Sequence, residues 1–224
     1  MRRAADLVAR LQARQPNDRS LGQHFLTDET HLAAIASLAG DLAGRTVLEI
    51  GPGPGTLTEH LLRAGAVVHA IEIDPEAVDH LQATFDEEIQ AGALVLTEGD
   101  ALTATWPNKI DAVVSNIPYQ ISSPLIDALE KHRQRHGAPE VVVLLVQEEF
   151  AERLTLATPA DRGSLGICTA LGWASTMERR VPPGAFRPPP AVMSRVCVLR
   201  PIDHPTDVDH RLVRQTVHAA FHHR

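Results

Sequence analysis

Val47-Leu48-Glu49-Ile50-Gly51-Pro52-Gly53-Pro54-Gly55-Thr56 runs from an apolar segment straight into a glycine-proline turn. The order predicts a short strand at 46–50, a tight turn, and a helix over about 56–64, because glycine tolerates positive φ and lets backbone approach a neighbour closely. Outward from this stretch the same alternation repeats. Residues 67–73 read as a strand, and Pro75 suits the first position of a helix running to Phe85. Residues 94–97 and 110–114 read as strands, 123–136 as a helix, and the apolar, largely β-branched run 141–146 as a buried central strand. Helix and strand in alternation predict an α/β domain with a mostly parallel sheet covered on both faces. Before it, residues 3–14 read as an arginine-bearing amphipathic helix, and Thr27 or Asp28 can cap a helix running to Leu38. After it, 148–155 and 164–173 read as helices. Strands at 176–180 and 194–199 flank the proline-rich segment 181–190, a stiff arm that holds Phe186 in place. A polar break precedes a last amphipathic helix from Asp209.

The chain has 224 residues, 44% hydrophobic and 22% charged, as expected of one large domain with a small appendage. Its longest strongly apolar run, 141–146, falls far short of the ~20 residues of a membrane span. The first fifteen residues contain no continuous apolar stretch of the secretory type. Cys168 and Cys197 lack metal-ligand spacing and read as buried thiols of a reducing compartment. A cytoplasmic protein without a membrane partner is expected. The net charge of −7 speaks against a general polyanion binder, yet of 21 basic residues only Lys109 and Lys131 are lysines. Arginine is the better bidentate partner for phosphate. The basic residues gather at 2–19, at 131–135 and at 179–187, so an acidic body with arginine-rich rims is compatible with RNA.

Four predicted strand ends carry ligand groups along one edge: Gly51 and Gly53, Glu72, Asp100, and Asn116. The carboxyl edge is where such sheets bind nucleosides, and Glu72, about 20 residues beyond Gly51, is placed to hold ribose hydroxyls. Asp100 can accept from an adenine amino group. The dinucleotide fingerprint is not met, since position 56 is threonine, and Pro52 and Pro54 remove N–H groups that a pyrophosphate would use. The site suits an adenosine without phosphates, such as S-adenosyl-L-methionine, whose sulfonium fits the acidic set Glu49, Glu72 and Asp100. Asn116-Ile117-Pro118-Tyr119 offers two acceptors, the Asn116 side chain and the Ile117 carbonyl, beside the Tyr119 ring. Pro118 keeps the chain extended there. That combination suits a planar base with an exocyclic amine, drawn out of its stack and held on Tyr119, with Phe186 on its other face. Taken alone, Asn-x-Pro-Tyr is equally a strand-ending turn, and Phe186 could instead plug the core beneath its loop. His218 and His222 read as a solvated helix face rather than a metal site.

With these residues in view, the chain resembles the small-subunit ribosomal RNA adenine dimethyltransferase family, nearer its archaeal and eukaryotic branch. The likeness rests on residues 22–28 (Gly-Gln-His-Phe-Leu-Thr-Asp), 47–58, Glu72-Ile73-Asp74, Gly99-Asp100-Ala101-Leu102, residues 116–124, Gln147-Glu148-Glu149 with Arg153, and 181–192 followed by Ser194. It covers the chain from about residue 20 onward. The resemblance implies a Rossmann-like class I methyltransferase with a seven-stranded sheet over residues 21–202. Residues 1–20 would form an arginine-rich arm, and 203–224 the start of a helical subdomain that continues in family members. It implies dimethylation of adenosine amines in small-subunit ribosomal RNA, free or in a pre-ribosomal particle; a monomer is expected, and in-line transfer of a methyl from a sulfonium requires no metal. His24 and Leu26 would close over the methionine end of the cofactor, with Gly51, Glu72, Asp100 and Asn116 completing that site, and Arg153 would touch RNA. The rival readings are a large-subunit RNA or DNA adenine methyltransferase and a ribosome-assembly factor without transferase activity.

Overall fold

The computed structural model describes residues 1–14, 23–158, 163–202 and 210–221. In chain order the strands are β1 (Phe25–Leu26), β2 (Thr46–Ile50), β3 (Val67–Glu72), β4 (Leu94–Glu98), β5 (Ala112–Asn116), β6 (Val141–Gln147), β7 (Trp173–Val181), β8 (Phe186–Arg187) and β9 (Ser194–Pro201). The helices are α1 (Ala4–Arg14), α2 (Glu29–Leu38), α3 (Thr56–Arg63), α4 (Pro75–Thr84), α5 (Asp86–Gln90), α6 (Ser122–His136), α7 (Glu148–Thr155), α8 (Ser164–Ala170) and α9 (His210–Phe221). Seven strands make one sheet in the order β4-β3-β2-β5-β6-β9-β7. Strands β2 to β6 run parallel, and β9 and β7 join antiparallel.

Side chains alternate across the strands and feed two separate cores. Val47, Val68, Val114 and Val143 point to the face covered by α2, α3 and α4, where they meet Leu32, Leu61 and Leu81. Leu48, Ile50, Val113 and Val142 point to the other face, against Leu125 and Leu129 of α6 and Leu154 of α7. Each fully buried aliphatic side chain contributes about 1.5–3 kcal/mol. The helix α1 lies on the first face through Leu7, and Arg2, just before it, pairs with Glu59 and Glu88 while stacking over Phe85. That arginine belongs to the body of the protein.

Asp28 caps α2, accepting from the N–H groups of Thr30 and His31, and Pro75 opens α4. The strand β5 differs from its sequence-based bounds by two residues. Asp111 accepts the Thr46 N–H and donates its own N–H to the Thr46 carbonyl, so the chain turns there and pairs only beyond it. Asn116 therefore ends the strand rather than following it. The helix expected to reach Trp173 stops at Ala170; Trp173 is 2% exposed and opens β7, its indole N–H directed at Glu130. The two-residue strands β1 and β8 pair antiparallel, Phe25 with Arg187 and Leu26 with Phe186. This pairing, not stiffness alone, anchors the proline-rich arm. Of the last helix, α9 lies against α8, and Arg214 reaches the Cys168 carbonyl. Residues 15–22 and 203–209, His222, and the side chain of His218 lie outside the described residues.

Gly55 is the N-cap of α3 at φ +83°, and a Cβ there would lie 2.5 Å from the Phe85 ring and 2.9 Å from Leu81. Gly55→Ala combines a left-handed backbone with overpacking of α3 on α4. Its unfolding free energy in urea should fall by about 2–4 kcal/mol; a loss under ~0.5 kcal/mol would show that this close approach is not a constraint.

Candidate active site

The sheet opens between β2 and β5. Their ladder pairs Val47 with Ala112 and Leu48 with Val113 and then stops, while β3 and β6 continue on either side. This is also the point where strand order reverses, with β3 and β4 lying one way and β6 the other. Crevices at such switch points are the usual ligand sites of open α/β sheets. The parted backbone is satisfied by a side chain: the fully buried Ser115 hydroxyl accepts the Ile50 N–H at 2.8 Å.

Above the crevice lies a cleft of two lobes that share Gly51, Glu72, Ile73 and Pro118. The first lobe brings together Gln23, His24, Phe25, Glu49, Gly53, Asn116, Ile117 and Tyr119. The second is more apolar, with Ile50, Ile71, Ala101 and Ile121 around Asp100. All four strand-end groups foreseen from the sequence thus border one cleft.

Asn116 is oriented by its surroundings. Its Nδ2 donates to the His24 carbonyl at 3.2 Å, and since a carbonyl only accepts, the amide flip is fixed with Oδ1 left as an acceptor. Ile117 borders the first lobe and is only 2% exposed. His24 Nδ1 donates to the Pro188 carbonyl at 3.0 Å, which ties the segment before β1 to the proline-rich arm. The His24 ring also stacks on Tyr119, with centroids 5.9 Å apart and planes 26° from parallel. Tyr119 opens a 3₁₀ turn, Tyr119–Ile121, and its hydroxyl shares a hydrogen bond of 2.8 Å with buried Ser194 on β9.

Glu72 accepts from three main-chain N–H groups, Gly53 at 2.8 Å, Ile73 at 2.8 Å and Asp74 at 3.0 Å. It ties the glycine turn to the end of β3, and burial, outweighing those donors, raises its carboxyl above the ordinary range. Glu49 is buried completely. Burial pushes its carboxyl up to about 8, with Glu72 adding repulsion and the Thr58 hydroxyl, donating at 2.7 Å, opposing the rise. Asp100 uses one oxygen to accept the Leu102 N–H, which turns the loop after β4 and faces the carboxylate into the second lobe. Gly51 and Gly53 have φ of +65° and +54°, and a Cβ on Gly53 would sit 2.8 Å from the Phe25 ring. The turn is pressed between β1 and the cleft.

Two expected positions are corrected. Phe186 is 2% exposed, its ring packed in the core beneath β8, so it offers no face to a base. Pairing with Leu26 turns the side chain inward. The Leu26 side chain is likewise in that core and lines neither lobe. Arg153 stands exposed on α7, outside both lobes. Sequence reasoning also missed residues. Ile73 is 51% exposed where both lobes meet, an apolar plate beside the Glu72 carboxylate. The signal was an isoleucine placed directly after a strand-ending acid. Phe25 and Ser194 carried no such signal, because their roles arise from contacts far along the chain.

A family model described as ribosomal RNA adenine dimethylase matches residues 14–224. A probable ribosomal RNA small subunit methyltransferase A of Methanospirillum hungatei is 42% identical over 181 residues, covering 80% of this chain and 68% of that protein. A ribosomal RNA small subunit methyltransferase A of Novosphingobium aromaticivorans is 36% identical over 208 residues, covering 91% and 75%. Among solved structures, a dimethyladenosine transferase from Plasmodium falciparum superposes with TM-score 0.78 at 33% identity, over 88% of this chain and 70% of that one. The 23S rRNA methyltransferase ErmE superposes with TM-score 0.71 at 28% identity, over 86% and 77%.

The Tyr119–Ser194 bond should behave as a unit. Tyr119→Phe and Ser194→Ala should each lower the unfolding free energy by about 0.5–1.5 kcal/mol, and the double variant little further. Fully additive losses in such a cycle would mean the two hydroxyls act separately.

Proposed function

Because the chain belongs to the ribosomal RNA adenine dimethylase family, we propose that its cleft binds S-adenosyl-L-methionine and presents the amine of a flipped adenosine from small-subunit ribosomal RNA to it. The chain is a class I methyltransferase of ribosomal RNA adenines.

The residues of the cleft fit the cofactor. The apolar second lobe, ending in Asp100 and floored by Ile73, suits an adenine ring whose amino group the carboxylate can accept. Glu72, at the junction of the lobes, suits the ribose hydroxyls. The first lobe holds Glu49 and lacks the N–H groups of Pro52 and Pro54, which favours a cation over a phosphate. S-adenosyl-L-methionine supplies, when bound, an electrophilic methyl on a sulfonium sulfur.

What remains is to aim the amine, whose lone pair is delocalised into the purine ring. Asn116 Oδ1 and the Ile117 carbonyl accept its two N–H bonds and turn the lone pair toward the glycine turn. Such positioning can lower a barrier by roughly 7–11 kcal/mol. Tyr119 holds the ring of the base, and Ser194 holds Tyr119. Base–aromatic stacking of about 1–3 kcal/mol helps offset the cost of extrusion. Asn116 is an amide and takes no proton, so the proton released after transfer goes to water. The observation that carries this reading is the Asn116 side chain, locked by His24 with its acceptor left free on the rim of the cleft.

The test is incubation with labelled S-adenosyl-L-methionine and immature small ribosomal subunits, followed by mapping of the label. Adenosine amines of the small-subunit RNA should carry it. Label confined to large-subunit RNA would instead support the reading that the superposition on ErmE makes available. Asn116→Ala should reduce transfer by roughly 10²–10³-fold or more with cofactor affinity changed far less; near-normal transfer would remove Asn116 from its role.

The raised Glu49 gives a second expectation. With its carboxyl near 8, Glu49 is mostly neutral at lower pH, and a cation beside it favours the ionised form. S-adenosyl-L-methionine should bind more tightly as pH rises from roughly 6 to 8, by up to about tenfold per unit. S-adenosylhomocysteine shares every group but the positive sulfur and should lack this increment. Calorimetric titrations with equal pH slopes for the two ligands would refute it.

A further inference from the structure

On the second face of the sheet, the loop after β4 and the last two turns of α6 enclose a cleft of ≈ 290 Å³ that no step above uses. Trp106 forms one wall, its indole N–H donating to the Ala101 carbonyl at 2.8 Å. The Trp106 ring meets His132 at 5.6 Å between centroids, and His132 meets His136 at 4.9 Å. Burial and the neighbouring His136 hold His132 below its ordinary value, so its ring is a neutral plate. Lys131 and Arg135 stand exposed on the lining of the same cleft, one helical turn apart.

Arg2, Arg45, Arg133 and Arg180 are each tied to glutamates. Lys131 and Arg135 have no acidic partner among the described residues. Two free cations flanking aromatic rings, on a chain of net charge −7, form a local site for a polyanion with flat bases. The place is also apt. Ala101 lines both this cleft and the second lobe of the active site. Along α6, Lys131 lies nine residues and Arg135 thirteen beyond Ser122, which follows Tyr119 closely. That distance is about 15–20 Å, the span of roughly four to six stacked nucleotides.

We infer that the Trp106–Lys131–Arg135 cleft is a second RNA site, in which Lys131 and Arg135 hold backbone phosphates of the substrate RNA a few nucleotides from the extruded adenosine and Trp106 offers a stacking face. The inference deepens the enzymatic reading and rests on it for the identity of the RNA. Phosphate contacts release counterions, so each adds to the salt dependence of binding. The site sets affinity and register, not chemistry, and it lies within the catalytic domain itself.

The test compares the unsubstituted chain with Lys131→Gln/Arg135→Gln and Lys131→Glu/Arg135→Glu, all surface changes. Affinity for protein-free small-subunit RNA is measured without cofactor over a series of salt concentrations, and S-adenosyl-L-methionine affinity separately. The neutral variant should bind RNA about tenfold more weakly, with the slope of log K against log salt reduced by about 1.5. The acidic variant should be weaker still, and cofactor affinity unchanged. Equal RNA affinity and slope in all three proteins would overturn the inference. So would a loss seen only with intact subunits and not with naked RNA, which would assign the patch to a ribosomal protein. Methyl transfer is scored independently: a chain that binds RNA through this cleft yet transfers nothing would leave the site standing and remove the enzymatic reading.

Discussion

The parting of β2 from β5 is the constraint on which the site depends. Once the ladder ends at Leu48 and Val113, the Ile50 N–H needs another acceptor in a buried place, and an orphaned donor there would cost about 1–3 kcal/mol. Ser115 supplies it from the neighbouring strand. One residue further, the Asn116 side chain crosses the opening to the His24 carbonyl. The crevice therefore has a defined depth, closed below by a hydroxyl and above by an amide. The glycine turn, Pro118 and the Glu72 carboxylate are arranged around it. A Cβ on Gly51 would come within 3.3 Å of Pro118, which shows how closely the two sides of the opening approach.

How much of this was legible in the sequence follows from contact range. The strands β2, β3 and β6 and the helices beside them announce themselves by local periodicity and punctuation, and their bounds agree with the structure to within about two residues. The four strand-end groups were legible for the same reason, since each sits at the end of such a segment. What could not be read depends on partners far away in the chain. Phe25–Leu26 and Phe186–Arg187 are too short to show a period, and only their pairing across about 160 residues makes them strands and turns Leu26 and Phe186 inward. Tyr119 reads as an exposed ring, and nothing nearby in sequence reveals that Ser194 holds its hydroxyl. Asp111 displaced a strand boundary through contacts with Thr46, again a distant residue.

Charge limits what the cleft can hold as much as shape does. The cleft places Glu49 and Glu72 close enough to repel, in surroundings that disfavour ionisation of either. An anionic ligand would add to that cost, whereas a cation relieves it. The same fold with N–H groups in place of Pro52 and Pro54, and without the buried Glu49, would be suited to phosphate. The remaining charge is handled differently. Most described arginines near glutamates are spent on holding elements together, Arg2 on α3 and α5, and Arg180 on α7.

The segment before β1 connects the two halves of the site in a way that limits how a base can enter. His24 lies 5.9 Å from Tyr119 between centroids, whereas a base inserted between two rings needs about 3.4 Å on each side. A purine cannot rest on that face of Tyr119 while His24 stays where it is. His24 is held by one bond to Pro188 and by its carbonyl's bond from Asn116, just before a strand only two residues long. These are few attachments, so displacing the ring is inexpensive compared with unfolding any element of the main sheet. The same displacement would loosen the bond that orients Asn116, unless the ring turns while the main chain remains. On the proposed reading of Asn116 and Tyr119, rotation about the His24 side chain alone, breaking the Pro188 contact and keeping the Asn116 contact, would admit a base without undoing the acceptor that receives it.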